Sequence, residues 1–179
     1  MKTVFAPTLL ALALATTALS VRAEEPKPAA PAAPAAPAAP AAPAAGETKV
    51  VIGVVPAVMQ YDKKAFSVKA GDKVSILFTN KGCPLQHNLV ILKPGTDAKF
   101  GMAADKMIVA DAAGAMAKVY LPDDTDSKAS IVAASTKLIG TGQNEILTFT
   151  APAEAGAYPF LCTFPGHRFL MKGVMTVTQ

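Results

Sequence analysis

From residue 48 to residue 179, short apolar runs recur with turn residues between them: KVVIGVV, AFSVKAGDKVSILFTN, HNLVIL, ASIVAAST, EILTFTAP, AYPFLC and KGVMTVT. Runs of this length, rich in Val, Ile, Phe and Thr, read as strands. Strict alternation in AFSV and VSILF puts one face of each strand into a core. Ala70-Gly71-Asp72 and Asn80-Lys81-Gly82 supply the turn chemistry between them. Seven or eight such strands predict an all-β sandwich. The pattern changes between Gly95 and Pro122, where MAADKMIVADAAGAMAKV is rich in Ala and Met and predicts a helical flap with poor capping. Met102, Met107 and Met116 are expected to pack inside that flap, because flexible thioethers fill irregular gaps.

The chain ahead of this domain has a different character. Lys2, an apolar run from Val4 to Leu19 and the small-residue pattern Val21-Arg22-Ala23 predict a signal peptide over 1–23, cut after Ala23. The span from Val4 to Val21 also reaches the length of a membrane helix, so an uncleaved anchor is the alternative; Pro7 and several Thr and Ser residues argue against it. With no cysteine near the cleavage point, lipid attachment there is not expected. Residues 24–47 form an Ala/Pro-rich linker with proline at nearly every third position. Such a segment favours extended polyproline II and reaches roughly 70 Å at about 3.1 Å per residue. One domain, 48–179, remains. The expected location is the periplasm, an oxidising compartment.

Charge narrows the partners. The formal net charge is +4, and removing Lys2 and Arg22 with the leader lowers it to about +2. The lysines are scattered singly and are not interleaved with aromatic residues, so nucleic-acid binding is not expected.

Chemistry concentrates in CTFPGHRFLMKG, residues 162–173. A strand ending at Cys162, a turn through Pro165-Gly166 and a following strand bring Cys162, His167 and Met171 toward one point. The other histidine, His87, starts the apolar run HNLVIL and can close the site from a neighbouring hairpin. Two imidazoles, one thiolate and a distant thioether are the donor set of an electron-transfer copper site. A lone Cys or Met on a strand is usually core, which is the reading given to Met175. The spacing C-x4-H-x3-M, with a strand-initial histidine upstream, favours a metal site for the others.

With these residues in view, the domain resembles azurin and related small blue copper proteins, the cupredoxins. The resemblance rests on CTFPGH followed by LMKG, on TKLIGTGQNEILTF, on MQYDKKAFSVKAGD and on HNLVIL, and covers nearly all of 48–179. It implies a Greek-key β-sandwich with the helical flap between strands, and one copper per chain held by His87 Nδ1, Cys162 Sγ and His167 Nδ1 with Met171 Sδ weakly axial. It also implies that the Gln86 backbone carbonyl approaches from the opposite axis. Asn88 and the Phe164 backbone N–H are implied as outer-sphere groups, bonding across the loop or to the sulfur. The implied role is a monomeric electron carrier, not an enzyme. Its partners would be redox proteins such as c-type cytochromes or copper reductases, docking near His167 against Phe164, Pro165, Phe169, Leu170, Met59 and Leu85, with membrane contact only if the N-terminal segment is uncleaved.

Departures from the family stand beside the likeness. The azurin disulfide has no cysteines here, Gln86 replaces the usual glycine, and the chain has no Trp. The alternative to electron transfer is a periplasmic copper carrier or storage protein. A copper enzyme such as a nitrite reductase would need a second histidine-rich centre and an open position for substrate, and both histidines are already assigned. Arg168, next to the exit ligand, is expected at the rim of the docking patch. Cys83, in KGCPLQHN, is expected to be a small buried residue before His87; the sharper alternative is a disulfide with Cys162 in copper-free protein.

Overall fold

A computed structural model of the chain describes residues 46–131 and 135–179; the predicted leader and nearly all of the linker lie outside the described residues. The predicted sandwich is present as two sheets. The strands are β1 (Glu47–Gly53), β2 (Ala65–Lys69), β3 (Lys73–Thr79), β4 (Val90–Ile91), β5 (Asn144–Thr150), β6 (Gly156–Leu161) and β7 (Lys172–Thr178). One sheet has the order β1-β3-β5 and the other β2-β7-β6-β4. The pairs β1/β3 and β2/β7 are parallel, whereas β3/β5, β6/β7 and β4/β6 are antiparallel. This is the Greek-key β-sandwich expected of the sequence.

Alternation explains where the core sits. In β3, Val74, Ile76 and Phe78 are fully buried while Lys73 is exposed. They pack with Ile52, Tyr61, Val68, Phe160, Met175 and Val177 between the sheets. Met175 is therefore core, as read from its strand. The run HNLVIL breaks the alternation because it is covered on both sides. Leu89 and Ile91 join the main core, whereas Val90 and Leu92 face a second cluster with Phe100 and Leu161. A strand buried on both faces reads as a continuous apolar run.

The second cluster lies under the flap. Helix α1 (Asp97–Ala110) buries Phe100, Gly101 and Ala104, α2 (Ala112–Ala117) buries Ala115, and α3 is Thr125–Ser130. Poor capping holds for α1, whose N-cap Thr96 makes no side-chain bond; Asp111 and Asp124 do cap α2 and α3. Packing of two of the three flap methionines is a correction, while Met107 is half-buried. Met102 and Met116 are exposed at 59% and 54%. The helices cover the sheet edge as a single layer, so only the stripe through Phe100 and Ala104 meets the core, and side chains off that stripe face water. The strand expected in ASIVAAST is corrected at its start, where Ala129 and Ser130 end α3 and Ile131 makes an isolated bridge to Leu92; residues 132–134 lie outside the described residues.

Candidate metal centre

The CTFPGHRFLMKG segment folds as a tight return between β6 and β7. The His167 N–H donates to the Phe164 carbonyl at 3.0 Å, closing a turn in which Gly166 takes φ 79°. That conformation favours glycine. A short 3-10 turn, His167–Phe169, follows, which the strand-turn-strand reading did not anticipate. Met171 N–H then donates to the His167 carbonyl at 2.8 Å, and Cys162 N–H to the Met171 carbonyl at 3.0 Å. Cys162, His167 and Met171 are thus locked by backbone bonds, and all three are buried.

His87 enters from the other side of the fold. Its backbone N–H and carbonyl both pair with Ile139, at 3.1 and 2.8 Å, so the residue is anchored before β4 begins. His87, Cys162 and His167 then converge, each offering one ligand atom, with all three atoms within 4.8 Å of one another. His167 Nδ1 lies 3.2 Å from His87 Nδ1 and 3.8 Å from Cys162 Sγ. Metal–nitrogen bonds of about 2.0 Å and metal–sulfur bonds of about 2.3 Å meeting near 120° span roughly 3.5 Å between nitrogens and roughly 3.7 Å from nitrogen to sulfur. The observed spacings fit a single first-row metal ion. Gln86 sits half-buried directly before His87.

Burial sets the protonation of these donors. It lowers the pKa of His87 to about 4, reinforced by the neighbouring His167, and it lowers that of His167. Both imidazoles are neutral and able to ligate across neutral pH. Burial also pushes the Cys162 thiol up to about 11, although the backbone N–H groups of Asn88 and Phe164 favour the thiolate. A metal must therefore displace the thiol proton as it binds.

Around the donors runs a polar frame. Asn88 bonds to Thr163 twice and also donates to the Val119 carbonyl at 3.1 Å, while the Tyr61 hydroxyl donates to the Asn88 carbonyl at 2.7 Å. Phe164 is half-buried, with its ring centroid 4.6 Å from that of His167. Sequence reasoning missed Thr163, Tyr61 and the Val119 carbonyl, whose partnership with Asn88 is long-range. Arg168 lies beside the apolar patch, its guanidinium 4.1 Å over the exposed Phe169 ring, but it is also paired, which the sequence did not reveal. Its Nε and Nη2 both donate to Asp105 Oδ2 of α1, at 2.8 and 2.5 Å, and its side chain is only 18% exposed. Gly101 makes room for it, since a Cβ there would come within 2.7 Å of Arg168 Cδ. The guanidinium ties the flap to the ligand loop.

The burial of Cys83 is as expected, and both cysteines are free. Its Sγ lies 3.1 Å from His87 Nε2, whereas Cys162 belongs to the cluster around the Nδ1 atoms. Cys83 Sγ thus meets the Nε2 side of His87, whereas Cys162 Sγ meets Nδ1 of His167.

Comparison with known proteins agrees with this geometry. The family described as copper binding proteins, plastocyanin/azurin family, matches residues 48–178. The chain is 36% identical over 133 residues to auracyanin-A of Chloroflexus aurantiacus, covering 74% of this chain and 76% of that one. It is 36% identical over 126 residues to azurin of Pseudomonas aeruginosa, covering 66% and 78%. The structure of dithionite-reduced auracyanin from Roseiflexus castenholzii superposes with a TM-score of 0.62 at 40% identity, over 75% of this chain and 99% of that one. The chain belongs to the plastocyanin/azurin family of copper-binding proteins, with copper as its cofactor.

Proposed function

We propose that this chain is an exported one-electron carrier whose single copper would be held by His87 Nδ1, Cys162 Sγ and His167 Nδ1, with the Met171 thioether and the Gln86 carbonyl as further, weaker donors. The observation that carries the reading is the convergence of three buried donors at 3.2 and 3.8 Å, on segments each fixed by backbone bonds. Bound copper supplies a Cu(II)/Cu(I) couple, for which sulfur favours Cu(I) and imidazole serves both valences. The chain's own part is to hold the donors still. Cys162 and Met171 share a backbone bond, His167 is held by its turn, and His87 is bridged to Ile139. Little rearrangement between valences favours fast transfer.

Complete burial of His87, Cys162 and Met171, with His167 only 2% exposed, supports a carrier over a turnover enzyme. Phe169 and Leu170, on the same turn as His167, are exposed, as are Met59 and Leu85. Apolar surface of this extent suits brief docking of a redox protein through a small interface. For the whole chain, the proposed order is leader 1–23, linker 24–47 and copper domain 48–179, in the periplasm. β1 starts at Glu47, one residue ahead of the last boundary.

Titration of the mature protein with Cu(II) tests the reading. One equivalent is expected to develop an intense visible thiolate band that a mild reductant bleaches and an oxidant restores, with rapid self-exchange. A colourless complex would remove the assignment. A blue complex that cannot be cycled would favour the copper carrier or storage protein.

A further inference from the structure

We infer that Cys83 is a positioning residue of the copper centre: its sulfur accepts the Nε2–H of His87 and so sets the orientation and donor strength of that ligand. The inference rests on the ligand assignment proposed above. An imidazole that offers Nδ1 to a metal carries its hydrogen on Nε2, and a buried N–H of this kind needs an acceptor. His87 is 0% exposed and Cys83 5%, and the Nε2 to Sγ separation is 3.1 Å. Among the described residues, Cys83 Sγ is the hydrogen-bond partner of that nitrogen.

The surrounding loop explains why a thiol has this role rather than a backbone oxygen. Asn80, itself fully buried, donates through Nδ2 to the carbonyls of Cys83 at 3.1 Å and Leu85 at 2.9 Å, and its Oδ1 accepts the Cys83 N–H at 2.9 Å. Thr141 Oγ1 donates to the same Cys83 carbonyl at 2.6 Å. The carbonyls closest in sequence are therefore drawn toward Asn80 and Thr141, and the side chain of Cys83 is what remains to face the ring. The frame is stiff: Asn80 N–H donates to the Gln143 carbonyl at 3.0 Å, and Gly142 N–H to the Asn80 carbonyl at 2.7 Å. The loop carrying the sulfur and the bridge carrying His87 are both fastened to the same 139–143 segment.

Sulfur is a weaker acceptor than oxygen. It draws less on the Nε2–H, so the ring becomes a weaker donor through Nδ1 than it would be against an oxygen. Cu(II) gains less from such a ligand than it would from a more strongly donating imidazole. The reduction potential is then higher than an oxygen acceptor would produce, and removing the acceptor raises it further.

Two variants of the mature protein test this, C83S and C83A, loaded with Cu(I) for NMR and with copper for electrochemistry. In the wild type, ring nitrogen spectra should show His87 as the Nε2–H tautomer with a slowly exchanging proton. C83A should speed that exchange by about tenfold or more, weaken metal binding by about 10–100-fold and raise the potential, all without loss of the visible band. C83S, which keeps an acceptor, should restore slow exchange and bring the potential below that of wild type. A blue C83A protein with wild-type exchange and potential would overturn the inference, as would a wild type without a proton on Nε2. If C83A does not fold, C83S alone decides, because a potential unchanged or raised in C83S contradicts the argument. A wild type that never turns blue would bring down the ligand assignment instead, an outcome distinct from a blue protein indifferent to position 83.

Discussion

Asn88 and Thr163, 75 positions apart, are joined twice: Asn88 Oδ1 accepts the Thr163 backbone N–H at 2.8 Å, and Asn88 Nδ2 donates to Thr163 Oγ1 at 2.7 Å. Each is the chain neighbour of a candidate metal ligand, His87 and Cys162, so the pair clamps two converging segments where those side chains meet. Replacing Asn88 with Ala leaves the buried Thr163 N–H without its acceptor and takes a donor from the Val119 carbonyl. An unsatisfied buried group costs about 1–3 kcal/mol, and the Val119 carbonyl keeps the Thr163 hydroxyl as a donor at 3.4 Å, so the loss should be on the order of 1–3 kcal/mol. Denaturant unfolding of copper-free protein measures it; a change under about 0.5 kcal/mol, the range of ordinary surface substitutions, would show that the clamp carries no load.

Arg168 makes a different kind of link, from the ligand loop to the flap. Its pairing with Asp105 means that Arg168→Glu sets two carboxylates against each other, beside the narrow space left by Gly101. That variant is expected to lose stability by about 1–3 kcal/mol and not chiefly to alter partner on-rate. Asp105→Ala should lose a comparable amount by leaving a mostly buried guanidinium unpaired. Thermal unfolding of both variants, alongside the salt dependence of electron exchange, separates the two effects. A full-stability Arg168→Glu with altered salt dependence would make docking, not the tie to the flap, the main role of Arg168.

Much of the centre is legible in the chain because it is local. Cys162, His167 and Met171 fall within ten positions on a strand and its return, and strand propensity around them is strong. His87 is legible because it opens an apolar run. Asp105 is not, since nothing in an Ala-rich helix marks which carboxylate meets an arginine 63 positions later. Met102 and Met116 were misread for a related reason: without knowing that the flap is one layer thick, the buried stripe of an Ala/Met helix is ambiguous. Cys83 was legible as buried, but its partner depends on how Asn80 turns the intervening carbonyls.

The two sulfurs of the proposed ligand set should separate cleanly by substitution. Cys162→Ser removes the thiolate and should abolish the visible band, whereas Met171→Leu should keep the colour and raise the reduction potential, because a weak donor to Cu(II) is lost. Voltammetry and absorption on the two variants check this. An unchanged potential in Met171→Leu would put that thioether outside the copper's reach, and a fully blue Cys162→Ser would remove the ligand assignment.

The protonation states of the copper-free centre make stability and metal uptake depend on pH in opposite parts of the scale. Folding lowers the His87 pKa from its ordinary 6.5 to about 4. Above pH 6.5 neither state holds this proton and the group's full contribution is present. As pH falls from 6.5 to about 4, the unfolded chain takes up the proton while the folded one does not, so copper-free protein loses stability by about 1.4 kcal/mol per pH unit, on the order of 3 kcal/mol in total. His167, lowered in the same direction, adds to the loss. Cys162 acts at the other end: its thiol, pushed up to about 11, is still protonated at neutral pH and must release its proton to the solvent when copper binds. Calorimetry in buffers of different ionisation enthalpy should therefore count about one proton released per copper at pH 7, and affinity should rise about tenfold per pH unit from there toward 11. Proton-neutral copper uptake at pH 7 would mean that Cys162 is already a thiolate before the metal arrives, and that the backbone N–H groups of Asn88 and Phe164 outweigh burial.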